Sequence, residues 1–258
     1  MPDTPPPPFA DHFSGVADAY ARNRPRYGDA LFRWLATLPA RRVRAWDVGT
    51  GSGQAALGLA PYFATVVASD ASAAQIAAAA GHPRIEYRVG VAHDSGEPAA
   101  SVDLVTVAQA LHWFDLPAFH AEVRRVLRPD GAIAVWTYAL PTLDEPRLDA
   151  ALGRFADTVD AWWPPERRHV DAGYRTLPFP FDEIATPTFE LEAVWSLAAF
   201  VGYLGTWSSV TRYRAATGCD PVTAHQPALA AAWGNVAVRH VRWPISLRAG
   251  RLQQIGAT

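Results

Sequence analysis

From residue 43 onward, short apolar runs alternate with stretches of helical periodicity. The run VRAWDV (43–48) stops at a group of glycines, and GQAALGLAPYF (53–63) then spaces its apolar residues as a helix does. ATVVASD (64–70) predicts a second strand, and SAAQIAAAAG (72–81) a helix closed by Gly81. RIEYRVG (84–90) and SVDLVTVAQA (101–110) predict a third and a fourth strand. Asp115 caps the helix that follows, with Pro117 in its first turn and Phe119, Val123, Val126 and Leu127 as the apolar stripe. RPDG (128–131) reads as a tight turn and AIAVWTY (132–138) as a fifth strand. Upstream, residues 11–21 predict one short helix. Asp29 is the expected N-cap of ALFRWLATL, which puts Leu31, Phe32, Leu35 and Leu38 on one face. Strands that alternate with helices indicate an α/β protein whose mostly parallel sheet is covered on both faces.

The rhythm breaks after Tyr138. Residues 140–186 are rich in proline and aromatics, as in DAWWPPERRHVDAGYRTLPFPF, and read as an insertion or lid. The tail then offers a strand-like TFELEAVW (188–195), helices around 197–206 and 221–233, and an alternating VAVRHVRW (236–243). These bring the expected strand count to seven.

Composition narrows the function classes. A chain of 258 residues, half of them apolar, can bury a substantial core. All 23 basic side chains are Arg, and the net charge of −2 lacks the basic excess that a nucleic-acid binder shows. The single Cys219 has no intramolecular disulfide partner, and no Cys/His cluster has zinc-ligand spacing, so no metal is expected. The start, MPDTPPPPFADHF, lacks the layout of a signal peptide and reads as a short extended arm. No apolar run approaches the roughly 20 residues that span a bilayer. A cytoplasmic protein without membrane or nucleic-acid partners is the expectation; its oligomeric state, monomer or homodimer, is left open.

The candidate chemistry lies in AWDVGTGSGQAA (45–56). In open α/β sheets ligands sit at the carboxyl ends of strands, near the switch point. A glycine turn lets backbone N–H groups and a helix start face them. GSGQAA (51–56) also satisfies a loose dinucleotide pattern, G-x-G-x-x-A, with Asp70 at about the spacing of a ribose-binding acid. A phosphate-binding P-loop is excluded, because no Gly-Lys-Ser/Thr follows and the chain has no lysine.

DVGTGSG, the strand end ASDAS, VDLVTVAQALHWFD and LRPDGAIAVW follow one another in compact order. This set resembles the class I S-adenosylmethionine-dependent methyltransferases. ADAYARNRPRYGDALFRWLA and QALHWFD, with GYLGTWSSVTRY and VRWPISLRAG in the tail, resemble the small-molecule branch that contains trans-aconitate methyltransferases. The resemblance covers most of residues 13–250. It implies a Rossmann-like, doubly wound, seven-stranded sheet. It further implies residues 1–40 as an arm with cofactor-covering helices, 41–139 as the cofactor-binding core, 140–186 as a lid, and 187–258 as the part completing the sheet and capping the substrate. The cofactor implied is S-adenosyl-L-methionine, which leaves as S-adenosyl-L-homocysteine.

Under that resemblance each residue has a role beside a plainer one. Gly49, Gly51 and Gly53 permit close approach to the cofactor, or merely turn the chain. Asp47 either accepts from the cofactor's ammonium or braces the loop. Asp70, followed by Ala71, accepts both ribose hydroxyls, or else caps the next helix. Ala92 and His93 fall where relatives line the adenine, although AHD departs from the usual Ala-Glu; His93 on the surface is the competing reading. Tyr20 and Arg24 match a front motif that closes over the cofactor, where a guanidinium can hold the methionyl carboxylate. Gln109, a cofactor-binding candidate, His112 and Trp113 follow strand four at the mouth. His112 orients substrate or accepts a proton, or is a satisfied core histidine; Trp113 walls the pocket. Trp207 is a substrate-side candidate among Trp162, Trp163, Tyr203, Trp243, Phe179 and Phe181, most of which are expected to pack the lid. Arg212 and Arg214 are possible anchors for an acidic acceptor.

The expected activity is methyl transfer to a small-molecule acceptor, with a carboxylate oxygen leading. Alternatives are O- or N-methylation of an aromatic or heterocyclic metabolite, and a cyclase or lyase that consumes the cofactor without methylating. A nucleic-acid or protein methyltransferase and a nicotinamide oxidoreductase stand further off. QALHW occupies the place where an Asn/Asp-Pro-Pro-aromatic motif would serve base methylation.

Overall fold

A computed structural model describes residues 25–143 and 145–253. The chain opens with helix α1 (Asp29–Leu35) and continues as β1 (Arg44–Val48), α2 (Gln54–Leu59), β2 (Thr65–Asp70), α3 (Ala73–Ala77) and β3 (Ile85–Val89). Next come β4 (Val102–Ala108), a 3-10 turn (Leu111–Trp113), α4 (Leu116–Val126) and β5 (Leu127–Tyr138). The remainder is α5 (Pro146–Val159), a 3-10 turn (Asp160–Trp162), α6 (Arg167–Asp171), β6 (Asp182–Ile184), β7 (Phe189–Trp195), α7 (Leu197–Gly205), α8 (Ser208–Thr217), α9 (Pro221–Trp233) and β8 (Arg239–Arg251).

The sheet runs β3-β2-β1-β4-β5-β8-β6, with β7 also paired to β8. Strands β1 to β5 pair in parallel, and β8 lies antiparallel to β5. The sheet has seven positions and eight strands, because the far edge is built from two pieces. β6 pairs with the end of β8 and β7 with its beginning. The central strands are near-continuous apolar runs because both faces are covered. One face packs Ala45, Val66, Ala68 and Trp136 under Leu31, Phe32 and Leu35 of α1 and the alanines of α2. The other packs Trp46, Val105 and Val135 under Phe119, Val123 and Val126 of α4 and the segment Val170–Phe181.

A third core is helical. Leu148, Leu152 and Phe155 of α5 meet α7, α8 and α9 over Leu191 of β7 and Trp243 of β8. Residues 140–186 therefore divide between two places: α5 joins this helical cap, and α6 with the chain after it covers the second face of the sheet. α8 (Ser208–Thr217) was not legible in the sequence.

Three local expectations are corrected. Gly28, not Asp29, is the N-cap of α1; Asp29 is the first helical residue and pairs with Arg33 and the Tyr62 hydroxyl. RPDG is not a free turn but a bulge inside β5: the partner register with β4 jumps from Val102↔Leu127 to Leu104↔Ala132. α3 ends at Ala77, short of Gly81. The Asp115 cap holds as expected, its carboxylate accepting the Ala118 N–H. The predicted helix over residues 11–21 lies outside the described residues.

At the base of the sheet Asp103, at the start of β4, accepts the N–H groups of Val43 and Arg44, 2.8 Å each, and pairs with Arg128. Neighbouring Glu97, also buried, pairs with Arg44 and Arg88. Shared partners satisfy these buried carboxylates.

Candidate functional site

β1, β2, β4 and β5 all point their carboxyl ends to one edge, where the loops leaving β1 and β4 touch. Between β1 and α2, Gly49, Gly51 and Gly53 have φ of 65°, 56° and 86°, so each position favours glycine on backbone grounds alone. Their surroundings differ. A Cβ on Gly49 would lie 2.6 Å from the Ala110 Cβ, and one on Gly53 2.3 Å from the Tyr87 hydroxyl. A Cβ on Gly51 would meet only Gln75 Oε1, at 3.8 Å. Described residues crowd the first and third glycines, whereas none of them crowds Gly51.

Asp70 ends β2 half-buried. Its Oδ2 accepts the Gly51 N–H at 2.8 Å and its Oδ1 the Ser72 N–H at 2.9 Å. Ser72, which accepts the Gln75 N–H, is the cap of α3. The carboxylate of Asp70 thus sits at the strand end without a capping duty, next to the half-buried Ala71.

Asp47 is wholly buried. The hydroxyl of Thr50 donates to its Oδ2 at 2.5 Å and that of Thr106 to its Oδ1 at 2.7 Å. Burial pushes its pKa up to about 6, although both hydroxyls pull the other way. Gln109, just past β4, has φ +58°. Its Nε2 donates to the Tyr138 carbonyl at 3.0 Å; its Oε1 accepts the Tyr138 N–H at 3.0 Å and the Thr137 hydroxyl at 2.5 Å. Asp47 and Gln109 both bind protein groups, one locking the glycine loop to β4 and the other locking β4 to β5.

His112 occupies the 3-10 turn after β4, half-buried, with Trp113 leaning on its ring at 4.7 Å. Nδ1 lies 2.8 Å from the hydroxyl of Tyr174, a residue with no exposed surface. Burial lowers the His112 pKa to about 3, helped by the charges of Arg167 and His169. Arg167 stacks on Trp163 at 4.3 Å and pairs with Asp171.

The other candidates scatter. Ala92 packs on the second core, whereas His93 is exposed. Trp207 is buried in the helical cap among Phe155, Trp163 and Tyr203. Trp243 is buried there too, donating to the Tyr203 hydroxyl, and Trp162 meets Tyr213 edge-on. Phe179 and Phe181 pack the second core. Arg214 is paired with Asp220, while Arg212 is half-buried on α8. Tyr20 and Arg24 lie outside the described residues; Pro25, where the description begins, accepts from the Gln54 side chain at 2.8 Å. The described residues hold no cluster of three or more His, Cys, Asp or Glu suited to a metal, and none of their helices is long and apolar enough to cross a membrane.

Sequence reasoning missed Thr50, Thr106 and Tyr174. Thr50 lies inside the glycine motif and was there to be read. Thr106 and Tyr174 are 59 and 62 residues from their partners, and no local pattern marks them.

A parallel Rossmann-like sheet with an antiparallel strand beside β5, an alternating glycine loop after β1 and an acid ending β2 define a class I methyltransferase. The model of a methyltransferase domain family matches residues 46–135. A methyltransferase of Dictyostelium discoideum is 35% identical over 213 residues, 81% of each chain. An uncharacterised methyltransferase of Mycobacterium tuberculosis is 32% identical, covering 84% of this chain and 88% of its own. A solved structure from Anaeromyxobacter dehalogenans, assigned as a type II methyltransferase, is 53% identical with a TM-score of 0.84, over 88% of this chain and 97% of that one. The chain belongs to the class I S-adenosylmethionine-dependent methyltransferase family.

Proposed function

We propose that this methyltransferase moves the methyl group of S-adenosylmethionine to a carboxylate oxygen of a small-molecule acceptor, as in the branch its motifs resemble. The observation that carries this reading is the state of His112. A half-buried imidazole with its pKa near 3 is a feeble base at neutral pH. An acceptor that arrives already deprotonated needs no base, and a carboxylic acid does so at neutral pH whereas a phenol or an ammonium does not. The stacked guanidinium of Arg167, 15% exposed, adds a positive field on the same side.

The residues fit the cofactor. Gly51 offers a backbone that no described residue crowds, and Asp70 offers a carboxylate at the adjoining strand tip for the ribose hydroxyls. Ala71, Ala92 and the backbone at His93 belong to the adenine side of this arrangement. Asp47 and Gln109 act behind it, holding the loop and the strand ends in register. When bound, the cofactor supplies an electrophilic methyl group on a sulfonium. The protein's part is alignment of the acceptor oxygen and exclusion of water, which can be worth roughly 7–11 kcal/mol of barrier. His112 and Trp113 then line the acceptor side, and Trp207 supports it from the helical cap. Tyr20 and Arg24 are the proposed cover.

Incubation of the protein and cofactor with a panel of small di- and tricarboxylic acids, followed by mass spectrometry, tests this. The expected products are S-adenosylhomocysteine, formed only when acceptor is present, and a methyl ester that alkali cleaves. Methylthioadenosine from cofactor alone, or a methylated product stable to alkali, would overturn it.

A further inference from the structure

The buried phenol of Tyr174 is held in place with unusual thoroughness. Its backbone is in the left-handed region, φ +61°, a conformation that costs a bulky residue about 1–3 kcal/mol. Three hydrogen bonds hold that backbone. The Tyr174 N–H donates to the His169 carbonyl at 2.8 Å, and the Tyr174 carbonyl accepts from Arg248 at 3.0 Å and from the Leu177 N–H at 3.1 Å. Arg248 is itself tied to the Leu177 carbonyl and to Glu183. Of the described non-glycine residues with positive φ, Gln109 and Tyr174 both belong to this site.

The hydroxyl that this strain positions lies under the first turn of the Leu111–Trp113 segment. A helical turn leaves its first N–H groups without partners. Those of Leu111 and His112 are turned toward the Tyr174 oxygen, short of a full hydrogen bond. The Thr137 hydroxyl is also beside it, but its proton goes to Gln109 Oε1. A phenol oxygen has two acceptor sites and one proton. Burial keeps the phenol protonated; because a phenol O–H is a stronger donor than an imidazole N–H, and a ring nitrogen a stronger acceptor than a phenol oxygen, the proton is directed to His112 Nδ1, 2.8 Å away.

We infer that Tyr174 is a positioning residue that fixes His112 as the Nε2–H tautomer, so that the imidazole presents a hydrogen-bond donor to the acceptor and not a base. Among the described residues, none hydrogen-bonds Nε2. Its N–H is thus left to meet a carboxylate or carbonyl oxygen. The catalytic meaning rests on the methyl-transfer reading above, whereas the tautomer itself does not.

Long-range proton–nitrogen NMR of the imidazole rings tests it, with the His112 signals assigned by their loss in His112→Gln. The expected wild-type spectrum has Nδ1 in the unprotonated range and Nε2 in the protonated range. In Tyr174→Phe, with fold checked by circular dichroism, that pattern is expected to collapse to a tautomer average. A protonated Nδ1 in the wild type, or an unchanged pattern in Tyr174→Phe, would overturn the inference. The wild-type spectrum decides its sign even if the variant does not fold. Calorimetry with S-adenosylhomocysteine on the same wild-type sample reports separately on the cofactor reading.

Discussion

Oδ2 of Asp70 accepts the N–H of Gly51 at 2.8 Å, which ties the end of β2 to the loop glycine that no described residue crowds. A carboxylate so placed orients the loop at the strand tip. Bonds of this charge-assisted kind are worth roughly 1.5–3 kcal/mol. Asp70→Ala is expected to weaken S-adenosylhomocysteine binding at least about tenfold in a protein that remains folded. An unchanged dissociation constant by calorimetry would remove Asp70 from the site.

The glycines should separate by function. Gly51→Ala meets backbone strain of about 1–2 kcal/mol but no clash with a described residue, so it is expected to lose cofactor affinity with a modest fall in Tm. Gly53→Ala drives a methyl into the Tyr87 ring and should lose more stability. In a double-mutant cycle, Tyr87→Ala is expected to shrink the cost of Gly53→Ala, whereas additive effects would show that the two do not meet.

Asp47 gives a pH signature. Its pKa in the folded protein is about 6, above the ordinary 3.8, so between these values the folded state holds a proton that the unfolded chain has lost. Stability therefore falls as pH rises from about 4 to 6, by up to roughly 1.4 kcal/mol per unit from this group. Asp47→Asn, whose amide can still meet both threonine hydroxyls, should flatten denaturant midpoints across that window. An unaltered profile would contradict the assigned shift.

His120 has the opposite sign. It is 3% exposed with Nε2 unpartnered, and burial lowers its pKa to about 4 from the usual 6.5. As pH falls through that interval the unfolded chain takes up a proton that the native protein refuses, and stability drops. His120→Leu removes the orphaned nitrogen between Phe119 and Phe181 and is expected to stabilise the protein at neutral pH by about 1–3 kcal/mol. A lower Tm in the variant would show that the imidazole has a partner.

Much of the architecture was legible because it is local. The apolar runs at 43–48, 64–70 and 101–110 needed only their own residue types to declare strands, and Asp115 with Pro117 declared a helix start. Asp29 misled because a good capping residue also suits a first turn, where it can meet Arg33 one turn on. RPDG misled because turn chemistry also suits a bulge once β4 supplies a partner strand. At the site, the sequence could nominate Asp47 and Gln109 but not say what their side chains hold, since Thr106 and Tyr138 come from other strands.

The sequence by itself determined the alternation of strands and helices from β1 to β5, the glycine turn with its acid at the next strand end, and hence the family. Each of these depends on residues close together along the chain. Only the tertiary structure decided which glycines neighbouring side chains crowd, that Asp47 faces threonines, and that His112 answers to a tyrosine 62 residues away. Burial and hydrogen-bond partnership are properties of neighbours in space, and a chain read in one dimension does not contain them.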